Sequence, residues 1–251
     1  MEGYRAATYG DRFAEVYDDW YPGVSDIDAT VRLVARLARR SRAREARVLE
    51  LGAGTGRLAI PLAQQGLRVV ALDASAAMLD RLRANDHDAS VTVIEGDVVD
   101  DIPNGPFDAV LIAYNTFFGA LLDADRQAAC FAAVASRLAA KGTFVVEAFV
   151  PDQPPRSGSR VEVRSMTVDE VVLSVSTHHP ADQRAEGHFV HLREGQPVRL
   201  RPWAVRYAPP EELDRMAARA RLTLVDRWED VNGTPFTTSS QRHVSCYRRA
   251  S

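Results

Sequence analysis

Between Arg47 and Phe149 the chain alternates short apolar runs with segments of helical period, and no other feature restricts its fold as much. Arg47 to Leu51 reads as a short strand that runs into glycines. Leu58 to Gln65 has helical spacing and is stopped by Gly66, a residue suited to the left-handed backbone that closes helices. Leu67 to Leu72 is a continuous apolar run of the kind buried on both faces of a parallel sheet. Ser75 to Asn85 then reads as a helix, Val91 to Glu95 as a strand, Phe107 to Tyr114 as another buried strand, and Asp123 to Ala140 as a long helix ended by Lys141-Gly142. Thr143 to Phe149 supplies a fifth strand. Strands separated by helices pair in parallel when the helices cross over the sheet, so the stretch predicts a doubly wound, Rossmann-like α/β sheet. The chain has 251 residues, 46% of them hydrophobic, which is enough to bury that sheet and to carry a sizeable insertion.

The flanks divide the chain into four parts. Residues 1–46 form an N-terminal aromatic lid and helix: Tyr4, Tyr9, Phe13, Tyr17, Trp20 and Tyr21 come first, and Asp28 to Arg44 then read as a helix with Val31, Leu33, Val34 and Leu37 on its apolar face. Residues 47–150 are the core. A linker rich in Pro, Ser and Gly starts at Pro151, and after it period-two alternation from Arg160 to Tyr207 predicts three to five antiparallel strands. Residues 151–208 are thus an antiparallel β insertion after the fifth strand, serving as an acceptor or dimer face. His178 and His179, just before Pro180, read as a turn. Residues 209–251 supply a helix from Pro209-Pro210 to about Ala220 and a closing strand pair, Leu222 to Trp228 and His243 to Arg248.

The formal net charge of -3 argues against a general nucleic-acid binder. The two cysteines, Cys130 and Cys246, match no metal spacing, and no metal site is expected. No apolar run is long enough to span a bilayer and the polar N-terminus does not resemble a signal peptide, so a cytoplasmic protein without a membrane partner is expected.

Chemistry concentrates at the first strand-to-helix turn. The segment Glu50-Leu51-Gly52-Ala53-Gly54-Thr55-Gly56 lets the backbone approach a nucleotide-like ligand closely. A dinucleotide fingerprint would place its third glycine at position 57, where the chain has Arg57. Asp73 ends the second strand about 20 residues beyond the first glycine, where a carboxylate accepts hydrogen bonds from ribose hydroxyls. Asp97, in Glu95-Gly96-Asp97-Val98 after the third strand, is placed to accept an adenine amino proton while the Val98 amide faces a ring nitrogen. Ala53, Ala74 and Met78 complete the candidates around this ligand.

Taken together, Val48 to Gly56, Asp73, Gly96-Asp97 and Phe107-Asp108-Ala109-Val110 resemble the class I methyltransferases that use S-adenosylmethionine, over about Arg47 to Phe149. The segment Tyr9 to Asp18, the strand Val145 to Phe149 and the insertion are similar to aminosugar N-methyltransferases of antibiotic pathways, and Ala113-Tyr114-Asn115-Thr116-Phe117 is similar to a segment of glycine N-methyltransferases. The resemblance implies S-adenosylmethionine as cofactor, S-adenosylhomocysteine as product and a small-molecule acceptor. It also implies that Tyr9 contacts the methionine part of the cofactor and reaches towards the acceptor, that Tyr17 covers the cofactor, and that the Ala113 carbonyl accepts from the ammonium group. Some relatives carry a histidine just after the segment that here reads Asn115 to Gly119. Here Gly119-Ala120 follows, so no catalytic role transfers to that position.

Methyl transfer is an in-line displacement, in which alignment is the enzyme's largest task. A neutral amine needs no strong base, whereas a hydroxyl usually does. The candidate bases are the histidines and Glu147. His188 and His191 would lie on opposite faces of one strand, so at most one points inward, and His188 is favoured as the catalytic group because it matches a histidine in the similar strand of the sugar enzymes. The alternative is a histidine on a sheet surface or dimer face. Trp203 reads either as a pocket wall or as insertion core. The residues after the fourth strand do not match the Asp/Asn-Pro-Pro-Tyr/Phe segment of adenine and glutamine methyltransferases, and no cysteine pair is placed for cytosine attack. The expectation is an N- or O-methyltransferase of specialised metabolism, with the insertion as the candidate face of a homodimer. The alternatives are a cofactor-binding regulator or pathway partner without transfer activity, and a protein or RNA methyltransferase.

Overall fold

The computed structural model describes residues 1–23, 26–41 and 45–250. Two short helices, α1 (Thr8–Phe13) and α2 (Tyr17–Trp20), precede α3 (Ile27–Ala38). The alternating stretch runs β1 (Arg47–Leu51), α4 (Ala59–Gln64), β2 (Arg68–Asp73), α5 (Ala76–Asn85), β3 (Val91–Glu95), β4 (Phe107–Ile112), α6 (Thr116–Ala120), α7 (Ala124–Arg137) and β5 (Leu138–Phe149). Four strands follow, β6 (Gly158–Met166), β7 (Glu170–His179), β8 (Arg184–Arg193) and β9 (Arg199–Arg206), and then α8 (Pro210–Arg219), β10 (Leu222–Trp228) and β11 (Arg242–Arg249).

The larger sheet has the order β10-β11-β5-β4-β1-β2-β3. β1 to β5 pair in parallel, and β11 and β10 add to the β5 edge antiparallel. Because successive side chains alternate between faces, β1 sends Leu49 and Leu51 into a core with Phe117, Phe131 and Leu213, and Val48 into a second core with Leu37, Leu58 and Leu62. The strands are therefore covered on both sides, which is why they read as unbroken apolar runs. Asp26, Ser75 and Asp123 cap α3, α5 and α7, each side chain accepting from a backbone N–H three residues on. The chain order reverses between β1 and β4, so a crevice opens at their carboxyl ends.

Several boundaries differ from the sequence expectation. α3 ends at Ala38 and a 3-10 turn covers Arg39–Ser41; the expected end at Arg44 lies outside the described residues. α7 stops at Arg137 because Leu138 turns extended and pairs with Phe107, so residues 138–142 belong to β5 rather than to the helix. Gly142 is needed inside this irregular pairing, since a Cβ there would lie 2.6 Å from the Phe107 carbonyl oxygen. β4 ends at Ile112, and Tyr114 and Asn115 both take left-handed backbone, at φ 53° and 64°. His178 and His179 pair with Ala185 and Arg184 as the last residues of β7, and the turn starts only at Pro180.

The second sheet, β6-β7-β8-β9, is antiparallel throughout. Arg206 at the end of β9 ties it to the core. Its guanidinium donates to Gln127 Oε1 on α7 (2.6 Å), Glu212 Oε1 on α8 (2.6 Å) and Gln183 Oε1 (2.5 Å), and all four residues are at least partly buried.

Candidate active site

A cavity of about 310 Å³ sits at the carboxyl ends of β1, β2 and β4. The core supplies Gly52, Gly54, Asp73, Ala74, Met78, Asp97, Val98 and residues 114–116; the first two helices supply Tyr9, Gly10, Tyr17 and Tyr21; the insertion supplies Phe189, Trp203, Ala204 and Val205.

The glycine turn forms the floor. Gly52 and Ala53 donate to the Leu72 carbonyl (2.7 and 3.2 Å), which folds the turn over β2. Gly52 and Gly54 have φ of 72° and 56°, values that favour glycine. A Cβ on Gly52 would lie 2.2 Å from Thr116 Cγ2, so the turn rests against the loop after β4. A Cβ on Gly54 would meet nothing within 4 Å, which leaves that backbone open to a ligand.

Asp73 stands behind the turn. Its Oδ2 accepts from Gly54 N (2.8 Å) and its Oδ1 from Ser75 N (2.9 Å). Burial raises its pKa, opposed by those backbone N–H groups. Each oxygen keeps acceptor capacity for a hydroxyl. Glu50, wholly buried beneath the turn, is pushed up to about 8 by desolvation and by the charge of Asp73, and its Oε2 has no hydrogen-bond partner among the described residues. An open glycine cradle and a fixed carboxylate together fit a nucleoside.

Asp97 is more heavily engaged than its sequence position suggests. Its Oδ1 accepts from Val99 N (2.8 Å), Asp100 N (3.2 Å) and the Arg126 guanidinium, while among the described residues nothing donates to Oδ2. Arg126, on α7, also pairs with Asp100 at 2.9 Å. Sequence reading missed it because 29 residues separate it from Asp97.

The lid is an aromatic cluster. Tyr9 stacks on Phe13 at 4.0 Å and meets Tyr17 edge-on at 6.5 Å, and its hydroxyl lies 3.4 Å from that of Tyr21. Asp11 accepts from Ser75 Oγ (2.7 Å), and Gly10 fits against Ser75 where a Cβ would lie 2.4 Å from the serine Cβ. Burial pushes the Tyr17 phenol up to about 12 and that of Tyr9 well above its usual value, so both hydroxyls are donors rather than bases at neutral pH.

Of the residues expected around the cofactor, Tyr9, Tyr17, Gly52, Gly54, Asp73, Ala74, Met78, Asp97 and Val98 line this cavity. Ala53 and Ala113 are buried behind it, and the Ala113 carbonyl accepts from Thr116 N at 3.0 Å. His188 is not among the lining residues. Phe189 takes the cavity face of β8, so strand alternation turns His188 to the opposite face, where it borders a separate groove with Asp11, Arg12 and Glu15. His191 is the histidine that points inward, yet it packs on Trp20 (5.5 Å) and lies 3.1 Å from Glu170, outside the cavity. Glu147 is also set back, its carboxylate accepting from the Tyr114 backbone N–H and its Oε2 otherwise unpartnered.

A model of the methyltransferase domain matches residues 48–142. The cypemycin N-terminal methyltransferase of a Streptomyces species is 30% identical over 206 residues, which cover 80% of this chain and 82% of that one. The solved CcbJ methyltransferase from Streptomyces caelestis superposes with a TM-score of 0.88 at 36% identity, covering 99% of this chain and all of the other. The sugar N-methyltransferase KedS8 from Streptoalloteichus shares the fold with a TM-score of 0.70 at 21% identity, covering 100% of this chain and 99% of that one.

Proposed function

Since the chain belongs to the S-adenosylmethionine-dependent methyltransferases, we propose that it methylates a neutral amine nitrogen of a small molecule in specialised metabolism. One observation carries this reading: the described lining of the cavity holds no histidine, lysine or glutamate, and its two aspartates lie on the cofactor side. An amine attacks through its own lone pair and needs only to be placed, whereas a hydroxyl needs a base that this lining does not offer. The relatives named for cypemycin N-terminal methylation and sugar N-methylation agree with nitrogen as the acceptor atom.

S-adenosylmethionine supplies an electrophilic methyl group. In this reading Asp73 takes the ribose hydroxyls, Asp97 and the Val98 amide take the adenine edge, and the open backbone at Gly54 admits the nucleoside. Tyr9 lies along the methionine part, Tyr17 covers it, and the Ala113 carbonyl, with a second lone pair beyond the one given to Thr116, takes the ammonium. Phe189, Trp203 and Tyr21 hold the acceptor and exclude water. Their π faces also favour the positive charge that appears on nitrogen. Matched amine and alcohol analogues, incubated with S-adenosylmethionine and followed by mass spectrometry, test the reading. A methylated amine beside an unchanged alcohol is expected, and methylated alcohol at a similar rate refutes nitrogen specificity. Cofactor binding without transfer to any acceptor would favour a regulator or pathway partner.

We further infer a homodimer through the outer face of the insertion. The cross-strand rows Val161–Val175–His188–Pro202 and Val163–Leu173–Val190–Leu200 share that face. Val161, Val163 and Leu200 expose 66%, 62% and 54% of their surface, an aliphatic patch of the kind that marks a protein contact. A monomer mass by light scattering at micromolar concentration would refute it. Among the described residues no helix is long and apolar enough to cross a membrane.

A further inference from the structure

We propose that Arg57 is a positioning residue that holds the Tyr17–Tyr21 part of the lid down on the cofactor turn and thereby sets how long the nucleoside product stays bound. The inference rests on the cavity's being the cofactor site. Arg57 occupies the position at which a dinucleotide turn would carry glycine, and its side chain is only 11% exposed. The guanidinium donates to the Tyr21 carbonyl, lies 3.5 Å from Asp18 Oδ1 and sits over the Tyr17 ring at 5.3 Å. Asp18 also accepts from Thr55 Oγ1 (2.8 Å), so two residues of the turn, Thr55 and Arg57, grip the same stretch of lid.

The consequence reaches the reacting groups. Tyr17 and Tyr21 are both cavity walls, and the Tyr21 hydroxyl is the neighbour of the Tyr9 hydroxyl at 3.4 Å. Fixing the Tyr21 backbone therefore fixes the partner of Tyr9. The insertion also grips the lid, by Arg164 over the Trp20, Tyr21 and Phe189 rings (5.0, 4.8 and 4.7 Å) and by Arg201 donating to the Arg12 carbonyl. Loss of Arg57 thus frees Tyr17 and the Tyr21 backbone from the turn, while Arg164 keeps its grip on the Tyr21 ring. A lysine replaces the point charge but not the planar fork that reaches carbonyl, carboxylate and ring at once.

The test is the dissociation rate of S-adenosylhomocysteine, measured by stopped-flow chase on wild type, Arg57→Ala, Arg57→Lys and Asp18→Asn. Release at least about tenfold faster is expected for Arg57→Ala, the effect of removing a charge-assisted hydrogen bond and a cation–π contact, with Arg57→Lys and Asp18→Asn in between. The KM for S-adenosylmethionine rises in parallel. The rate is read only from bound protein, so a purely structural defect that lowers the folded fraction does not imitate it. Unchanged release in Arg57→Ala overturns the proposal; if that variant does not fold, unchanged release in both Arg57→Lys and Asp18→Asn overturns it. Failure of wild type to bind S-adenosylhomocysteine would instead overturn the cofactor assignment.

Discussion

Arg206 is where the insertion is fastened to the core, and its removal has a calculable effect. The residue is 6% exposed and its guanidinium serves Gln127, Gln183 and Glu212 at 2.5–2.6 Å. Arg206→Ala leaves the Glu212 carboxylate, 18% exposed, without its cation and two amide oxygens without a donor. Breaking a buried ion pair costs about 3–5 kcal/mol, and the partial exposure of Glu212 places this one near 3 kcal/mol. Urea unfolding at neutral pH, followed by far-UV circular dichroism, should show that loss. The double variant Arg206→Met with Glu212→Gln should recover roughly 1 kcal/mol or more, because no charge is then stranded. β9 carries Trp203, Ala204 and Val205 into the cavity, so the KM for the acceptor should rise in Arg206→Ala while affinity for S-adenosylhomocysteine holds. A single variant within about 0.5 kcal/mol of wild type, the range of ordinary surface changes, would refute the view that this residue anchors the insertion.

If Asp73 takes both ribose hydroxyls as proposed, Asp73→Ala should weaken S-adenosylhomocysteine binding by roughly 100-fold or more in calorimetry, since bonds to a charged group contribute about 1.5–3 kcal/mol each. Arg126→Ala leaves the Asp97 carboxylate only the Val99 and Asp100 N–H groups and, with Asp97 on the adenine edge as proposed, should weaken binding by about tenfold, with a smaller preference for the adenine cofactor over its hypoxanthine analogue in the same titration. His243 is fully buried, and desolvation followed by the charge of Arg227 lowers it from 6.5 to about 4. The unfolded chain therefore takes up a proton that the native protein refuses, so stability is complete above pH 6.5 and falls as the pH drops towards 4, by up to about 3 kcal/mol. His243→Gln should flatten that part of the urea-midpoint profile against pH.

The parallel sheet was legible because each of its strands is buried on both faces and each turn between strand and helix carries its own punctuation, as at Gly66 and Ser75. The geometry of the glycine turn was legible for a related reason: Gly52, Gly54 and Asp73 lie within one strand–helix–strand unit, where spacing along the chain stands for spacing in the fold. The ends of elements were less visible. Nothing local reveals that Leu138 leaves the helix to pair with Phe107, because the partner decides it. The acceptor side was hardest. Whether His188 or Phe189 faces inward depends on the register of β8 against β7 and β9, and a shift of one residue exchanges the two. Arg57 appeared in the sequence only as a missing glycine, and its guanidinium gained meaning once Asp18, Tyr17 and Tyr21 were seen around it. Arg126 carries no local signal at all.

The contact between Gly52 and Thr116 has a dynamic consequence. One residue belongs to the turn proposed to hold the methyl donor, the other to the loop after β4, and a hydrogen atom in place of a Cβ lets them touch. An in-line displacement is sensitive to small changes in the distance between its partners. With the threonine methyl seated on the glycine, displacement of one loop pushes the other, which in the proposed reading steadies the gap between donor and acceptor. A side chain at position 52 would act as a wedge between the two loops and would be strained by the positive φ there.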